Sequence, residues 1–133
     1  HSFYDGDAQE VVHVDFTQPY CEQLRFALLA AGSRADVDLV ARGTYGVTQG
    51  PRLETAAEIA RLERDGCDLV GMTGMPEAAL ARELGMCYAC CAFVVNWAAG
   101  KGEGEILMSE IEANIRASRA RVKQLLGALF AAG

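Results

Sequence analysis

Apolar residues follow two different periods along this chain. β-branched and alternating residues from Val11 to Phe16, and again from Asp38 to Val47, predict strands. Between them, the helical spacing of apolar residues from Leu24 to Ala31 predicts a helix. Leu69 and Val70 predict a short buried strand, and the nearly continuous apolar run Cys87–Val95 predicts a central strand covered on both faces.

Helix-start signals place three further helices. Thr55 and Glu58 have capping-box spacing and predict a helix to about Asp65. Pro76 is predicted as the first residue of a helix that runs to Leu84 and stops at Gly85. Ser109 and Glu112 form a second capping-box pattern. It predicts a last helix with these apolar positions: Ile111, Ile115, Val122, Leu125, Leu126 and Leu129.

Strands and helices therefore alternate from one end of the chain to the other. This order predicts an α/β fold with a mixed, largely parallel sheet flanked by helices. The length of 133 residues and the 51% hydrophobic content suit a single domain over residues 1–133. The net charge of -6 argues against nucleic acid or an anionic membrane as partner. Without a leader-like start or a long apolar run, the expected location is cytoplasmic.

The cysteines invite a metal or redox interpretation that the pattern does not support. They are odd in number, which favours reduced thiols over a disulfide framework: Cys21, Cys67, Cys87, Cys90 and Cys91. The run from Cys87 to Cys91 lacks a second cysteine pair or a nearby histidine to complete a tetrahedral metal site. We therefore expect no metal, and small apolar thiols in a buried strand.

Polar side chains stand at the predicted carboxyl ends of the strands, where α/β sheets bind ligands. They are Glu54 after Leu53, Thr73 after Met72, and Asn96. Each also has a structural explanation: Glu54 could complement a helix dipole, Thr73 could cap a helix, and Asn96 could be a turn residue. Their convergence on one rim favours a binding site. The glycine-rich stretch Ala99–Gly104 lacks the spacing of a phosphate-binding Walker loop and is either a flap beside the site or an inert surface loop.

These motifs resemble the trimeric nucleoside phosphorylases, which include purine nucleoside phosphorylase and methylthioadenosine phosphorylase. The resemblance rests on Gly50–Glu58 (GPRLETAAE), on Gly66–Glu77 and on Ala92–Asn96. Ser2–Gly6 (SFYDG) and His13 look like the methylthioadenosine branch. The resemblance covers nearly all of this chain but only the carboxyl-terminal half of the family's fold. The family's glycine-rich first strand and Arg-His phosphate contacts have no counterpart here.

The resemblance implies roles for individual residues. Asn96 and Glu54 would be the catalytic residues that hold the purine, and Thr73 would bind phosphate through its hydroxyl. Free amides at a helix N-terminus would add support for an anion at Thr73. The substrate would otherwise be bound by these residues: Leu53, Val70, Gly71, Met72, Trp97, Ala98, Ile106, Leu107 and His13. No cofactor is implied beyond phosphate as cosubstrate, and the full-length protein would be a homotrimer.

Donors and acceptors at the base position predict the substrate class. A 6-oxopurine carries a hydrogen on N1 that ionised Glu54 can accept, while the Asn96 amide can donate to O6 or N7. Adenine presents a bare acceptor at N1, so the pair should prefer hypoxanthine or guanine. Adenine-specific relatives carry aspartates at the positions of Asn96 and Ala98, which supports the same preference.

The sugar end is predicted to be apolar. Relatives that bind ordinary nucleosides use a histidine before the last helix, where this chain has Ile106, Leu107 and Met108. These side chains suit a methylthio group and would leave a hydroxyl unpaired. The expected substrate is S-methyl-5′-thioinosine, with inosine, guanosine and methylthioadenosine as alternatives. His13 would reach a neighbouring subunit's pocket, or have only a structural or surface role.

Two classes of function remain open. One is an active phosphorylase whose missing half is supplied by the full-length protein or another chain. The other is a non-catalytic remnant that binds purine weakly or not at all.

Overall fold

The computed structural model describes residues 2–5 and 11–131. Helices and parallel strands alternate in its middle part, in agreement with the predicted α/β class. The elements, in chain order, are α1 Glu22–Arg34, β1 Tyr45–Val47, α2 Ala56–Arg64, β2 Leu69–Gly71, α3 Glu77–Glu83 and α4 Met108–Phe130. Among the described residues, no helix combines the length and apolarity needed to cross a bilayer.

The β1–α2–β2 unit is the part of the fold that positions the candidate site. β1 and β2 pair in parallel, with Tyr45 opposite Leu69 and Val47 opposite Gly71. The connecting helix α2 begins at the predicted capping box, in which Thr55 and Glu58 bond to each other's backbone amides. Ile59 is the buried residue of α2 and is 5% exposed. The predicted helix and the predicted strand at Leu69 and Val70 are both confirmed here.

Helix α3 follows β2 after a short turn. Pro76 is its N-cap residue rather than its first helical residue, one position from the prediction. Gly85 adopts φ +64° just after the C-cap Leu84, so the predicted end of this helix is confirmed. Glycine reaches this left-handed region without the steric cost that a side chain would add.

Helices α1 and α4 pack against each other, and each contributes an almost fully buried side chain. Ala31 is 0% exposed and Leu125 is 1% exposed. Polar groups join the two helix ends: Arg34 Nη2 donates to the carbonyl of Ala128 at 3.1 Å, and Gln124 Nε2 donates to the carbonyl of Ala35 at 2.6 Å. The helix predicted over Leu24–Ala31 is confirmed, and it extends further at both ends.

Three predicted strands differ from the structure. Val11–Phe16 and Cys87–Val95 form no strand, and the strand predicted over Asp38–Val47 is confined to Tyr45–Val47. Val11 is 80% exposed and Val94 is 76% exposed, so neither segment is buried. A strand requires a neighbouring backbone as well as β-propensity, and among the described residues only β1 and β2 supply one for each other.

The second predicted capping box is also wrong. Helix α4 begins at Met108, its N-cap is Leu107, and no side chain caps it. Ser109 therefore lies within the first turn of the helix. A capping residue needs the extended backbone of the position before the helix, which Leu107 has here with ψ 129°.

The expectation of reduced thiols is wrong for one pair of cysteines. Cys21 and Cys87 form a disulfide, while Cys67, Cys90 and Cys91 are free. The amide of Cys21 donates to the carbonyl of Tyr88 at 2.7 Å, which draws the two segments together. The two Cα atoms are 5.2 Å apart, within the range that a disulfide spans.

Candidate nucleoside-binding site

A cleft of about 550 Å³ brings the two predicted catalytic residues together. Its lining comprises Leu53 and Glu54, residues 95–100 and 102–106, and Glu110 and Asn114 of α4. We call it the Glu54–Asn96 cleft. Of the predicted site residues it includes Leu53, Glu54, Asn96, Trp97, Ala98 and Ile106.

Glu54 is oriented by Thr48. The hydroxyl of Thr48 donates to Glu54 Oε1. Thr48 is itself anchored, because its amide donates to the carbonyl of Gly71 at 2.9 Å, immediately beyond the last strand pair. The carboxylate that faces the cleft is thus connected to the carboxyl end of β2.

The turn that carries Leu53 and Glu54 is held by a charged cluster. Arg52 binds the Glu58 carboxylate in a bidentate manner, with Nη1 to Oε2 at 2.8 Å and Nη2 to Oε1 at 2.9 Å. The Thr55 amide donates to the same carboxylate at 2.7 Å. The hydrogen bonds from Arg52, and then those from Thr55, hold the pKa of Glu58 far below its usual range. These hydrogen bonds join the turn to the first turn of α2.

Asn96 reaches the cleft from the irregular segment before α4. Its Nδ2 donates to the carbonyl of Trp97 at 2.8 Å. A carboxamide has two N–H donors and a carbonyl acceptor, so this bond leaves groups for a ligand. Asn114 of α4 steadies the same segment by donating from Nδ2 to the carbonyl of Val95 at 2.6 Å. Trp97 lines the cleft although it is 74% exposed.

The glycine-rich loop predicted as a flap does lie beside the cleft. Gly100 has φ +76°, and a Cβ at this position would lie 2.8 Å from the Cβ of Ala56, so the loop lies close against α2. Lys101 Nζ forms an ion pair with Glu63 Oε2 at 2.6 Å, which ties the loop to the same helix. Whether the loop moves stays a prediction.

The remaining predicted residues lie outside the cleft lining. Val70 and Gly71 are half-buried within β2, and Met72 follows them. The Met72 side chain lies against Gly50, where an added Cβ would collide with its sulfur. Leu107 is the exposed N-cap of α4. His13 is exposed in the irregular segment before α1, and Gly6 of the SFYDG motif lies outside the described residues.

Thr73, the predicted phosphate contact, is exposed beside Tyr45. Its amide donates to the Tyr45 hydroxyl at 3.4 Å, and the two hydroxyl oxygens are also 3.4 Å apart. Helix α3 begins only at Glu77, so Thr73 is not at its N-terminus. The helix-terminus argument for phosphate at Thr73 is therefore wrong, whereas a role for its hydroxyl stays a prediction.

The charge of the cleft matches a hydrogen-bond-donating ring better than an anion. Its described lining contains the carboxylates of Glu54, Glu103, Glu105 and Glu110, and neither lysine nor arginine. Carboxylates repel anions and accept hydrogen bonds from N–H groups. The cleft is suited to a neutral heterocycle.

Sequence reasoning missed Thr48, Tyr45 and Asn114. Thr48 lies just before the GPRLETAAE motif and belongs to none of the patterns that predict the site. Asn114 offered one signal: a short amide side chain inside a predicted helix is unfavourable there unless it has a specific partner.

Comparison with known sequences identifies the family. The sequence profile described as "Phosphorylase superfamily" matches residues 1–131. A protein named "Probable S-methyl-5'-thioinosine phosphorylase" from Pseudomonas syringae pv. tomato is 56% identical over 132 residues, covering 99% of this chain and 54% of that protein. A protein named "6-oxopurine nucleoside phosphorylase" from Pyrococcus furiosus is 47% identical over 134 residues, covering 96% of this chain and 51% of that protein.

Solved structures have the same fold. A mutant of adenosine/methylthioadenosine phosphorylase from Schistosoma mansoni in complex with adenine superposes with a TM-score of 0.91 at 27% identity. The match covers 98% of this chain and 53% of that one. The chain thus spans about half the length of the relatives it matches, and the α/β fold class is confirmed. With a family profile matched over residues 1–131, the chain belongs to the phosphorylase superfamily.

Proposed function

We propose that this chain is part of an enzyme that cleaves 6-oxopurine nucleosides with phosphate, and that S-methyl-5′-thioinosine is the preferred substrate. The products are hypoxanthine and 5-methylthioribose 1-phosphate, as in purine salvage. Phosphate is the cosubstrate, and the proposed reaction uses no metal or organic cofactor.

The position of Glu54 and Asn96 on one cleft carries this proposal. The carboxylate accepts the N1 hydrogen of a 6-oxopurine, and the carboxamide donates to O6 or N7. Adenine would face the carboxylate with an acceptor at N1, and an unmade bond in a desolvated site costs about 1–3 kcal/mol. The pair therefore selects hypoxanthine or guanine over adenine.

The same two groups act on the leaving base. Phosphate attacks the anomeric carbon while the purine departs and gains negative charge. The Asn96 amide stabilises that charge as it develops, and Glu54 holds the ring through N1–H. Stabilisation confined to the transition state raises turnover, and losing one such donor typically costs about 2.7–4 kcal/mol of barrier.

The sugar end supports a 5′-methylthio group. Ile106 lines the Glu54–Asn96 cleft, and Leu107 follows it at the start of α4. Met72, Val70 and Gly71 at β2 are the proposed ribose contacts, Thr73 the proposed phosphate contact, and His13 a proposed contact to a neighbouring subunit. An apolar wall around the 5′ position accommodates sulfur and a methyl group, whereas a hydroxyl there would lose its hydrogen bond to water.

The names of the sequence relatives support the base preference. The substrates in these names are S-methyl-5′-thioinosine and 6-oxopurine nucleosides, and both carry a keto group at the purine 6-position. The Schistosoma mansoni structures contain adenine, tubercidin or methylthioadenosine, which all carry a 6-amino group, and lie at 26–28% identity. The relatives named for 6-oxopurine substrates are thus more similar to this chain than the structures with 6-amino compounds.

A non-catalytic remnant is the second candidate. The observation that favours it is coverage, because the chain spans 54% of the P. syringae relative. By the resemblance, the family's Arg-His phosphate contacts belong to the part that is not covered, and only Thr73 of the proposed phosphate contacts lies in this chain. We further propose that the completed protein is a cytoplasmic homotrimer and that neither nucleic acid nor membrane is a partner, given the net charge of -6.

Phosphate-dependent release of hypoxanthine tests the proposal. The assay compares the 133-residue chain with the completed protein, meaning this chain together with the part of its relatives' length that it does not cover. We expect the completed protein to release hypoxanthine from S-methyl-5′-thioinosine only when phosphate is present. Release without phosphate, or adenosine-type substrates cleaved in preference, would contradict it. Activity of the short chain alone would exclude the remnant.

A further inference from the structure

We propose that Thr48 is a positioning residue that fixes the base-reading carboxylate of Glu54 and thereby contributes to the choice of base. This inference rests on the proposed function, since it concerns how the same cleft recognises a 6-oxopurine.

A backbone hydrogen bond anchors Thr48 to β2. Its amide donates to the carbonyl of Gly71 at 2.9 Å, which continues the hydrogen-bond ladder one step beyond the Val47–Gly71 pair. The residue is half-buried, and its branched Cβ restricts rotation about χ1. The hydroxyl is thus presented from a fixed point at the carboxyl end of the β1–β2 pair.

The hydroxyl has a single hydrogen, and it is committed to Glu54. It donates to Oε1, which leaves Oε2 as the oxygen without a bond to Thr48. A carboxylate held at one oxygen loses most of its freedom to rotate, so the second oxygen faces a constant direction. Binding of a purine N1–H to this oxygen would therefore cost little side-chain entropy, because Glu54 is already ordered.

The contact also sets a spacing within the site. Gly71, which accepts from Thr48, directly precedes Met72 and Thr73, the proposed sugar and phosphate contacts. Thr48 therefore joins the base-reading carboxylate to the strand end that carries the other proposed contacts. The Arg52–Glu58 pair also restrains this turn, but its hydrogen bonds go to Leu53, Thr55 and Glu58 rather than to the Glu54 carboxylate.

The test compares Thr48→Val with Thr48→Ser in the completed protein. Valine keeps the shape and removes the hydroxyl, whereas serine keeps the hydroxyl. Thr17→Val is the matched control, because the Thr17 hydroxyl also donates to a carboxylate, that of Asp15 at 2.7 Å, outside the cleft lining. Kinetics are measured with S-methyl-5′-thioinosine and with methylthioadenosine, alongside thermal unfolding.

We expect Thr48→Val to lower kcat/KM for the 6-oxo substrate by about tenfold or more, the size expected for a hydrogen bond to a charged group. The 6-amino substrate should be affected much less, so the ratio of the two falls. Thr48→Ser should restore the ratio to within about threefold of the parent, and Thr17→Val should leave it unchanged.

Equal losses on both substrates, or a valine variant with the parent's ratio, would overturn the role of Thr48 while leaving the proposed function intact. A serine variant as impaired as the valine variant would overturn it as well. If instead the parent itself shows no phosphate-dependent cleavage, the proposed function fails and this inference fails with it.

Discussion

Glu54 and Asn96 illustrate how much of the site depends on single hydrogen bonds. Each contributes one group to a contact within the protein, with Thr48 and with the Trp97 carbonyl respectively, and each keeps another group for a ligand. Their shared location could be predicted from the resemblance of the GPRLET motif and of Ala92–Asn96 to a known family. The strand-end argument fails for Asn96, because Cys87–Val95 forms no strand. The partner Thr48 could not be predicted, since its contact depends on the path of the turn and on a rotamer.

Arg52 provides a prediction that can be tested by titration. Replacing it with methionine should raise the pKa of Glu58, since the guanidinium is the main cause of the lowered pKa. A carboxyl whose pKa is lowered in the folded state stabilises the fold above its unfolded pKa and loses that contribution as pH falls through the folded value. The Arg52→Met protein should therefore lose this contribution at higher pH than the parent.

Carbon-detected NMR of the Glu58 side chain measures this shift. Arg64→Met, on the same helix, is the matched control and should leave the Glu58 midpoint in place. An Arg52→Met protein with an unchanged midpoint would show that the bidentate pair does not form in solution.

At the scale of elements, every predicted helix formed, whereas two of the predicted strands, which need a distant partner, did not. The Thr55–Glu58 capping box links neighbouring residues, and it was found where predicted. The segments Val11–Phe16 and Cys87–Val95 have strand-like sequences, but a ladder requires a neighbour that the sequence pattern does not reveal. Ser109 and Glu112 have the spacing of a capping box, but they do not form one because the helix already begins at Met108.

The two capping patterns give a matched pair of variants. Thr55→Ala removes the acceptor of the Glu58 amide and should lower the free energy of unfolding by about 1 kcal/mol. Ser109→Ala removes a hydroxyl that caps nothing and should change it by less than about 0.5 kcal/mol. Urea unfolding followed by circular dichroism measures both. Equal effects of the two substitutions would contradict the assigned helix starts.

At the scale of the whole molecule, the fold class was predictable and the covalent link was not. Alternating periods were sufficient for an α/β prediction, and the family profile confirms it over residues 1–131. The Cys21–Cys87 disulfide joins residues separated by 66 positions, and a cysteine count gives no information on which pairs are close. The exposure of Phe93 and Val94 likewise depends on what surrounds them, which periodicity does not encode.

The disulfide should be a major source of stability in this chain. Closing a loop across 66 positions restricts the unfolded chain, and such links typically contribute about 2–4 kcal/mol. Cys87→Ser should lower the free energy of unfolding by that amount, and a dithiol reductant should lower it in the parent but not in the variant. Cys91→Ser, at a free and exposed cysteine, is the control. A parent insensitive to reductant would mean that the two thiols are not joined.

The central claim is that Asn96 and Glu54 read the purine together, and one substitution tests it most directly. In the completed protein, Asn96→Asp replaces an amide donor with a carboxylate acceptor, so a 6-amino group gains a partner and a 6-oxo group loses one. The measurement is the ratio of kcat/KM for S-methyl-5′-thioinosine to that for methylthioadenosine. We predict that this ratio falls by at least about tenfold. This is the size expected when a charge-assisted hydrogen bond is lost with the 6-oxo substrate and gained with the 6-amino substrate. An unchanged ratio would contradict the account.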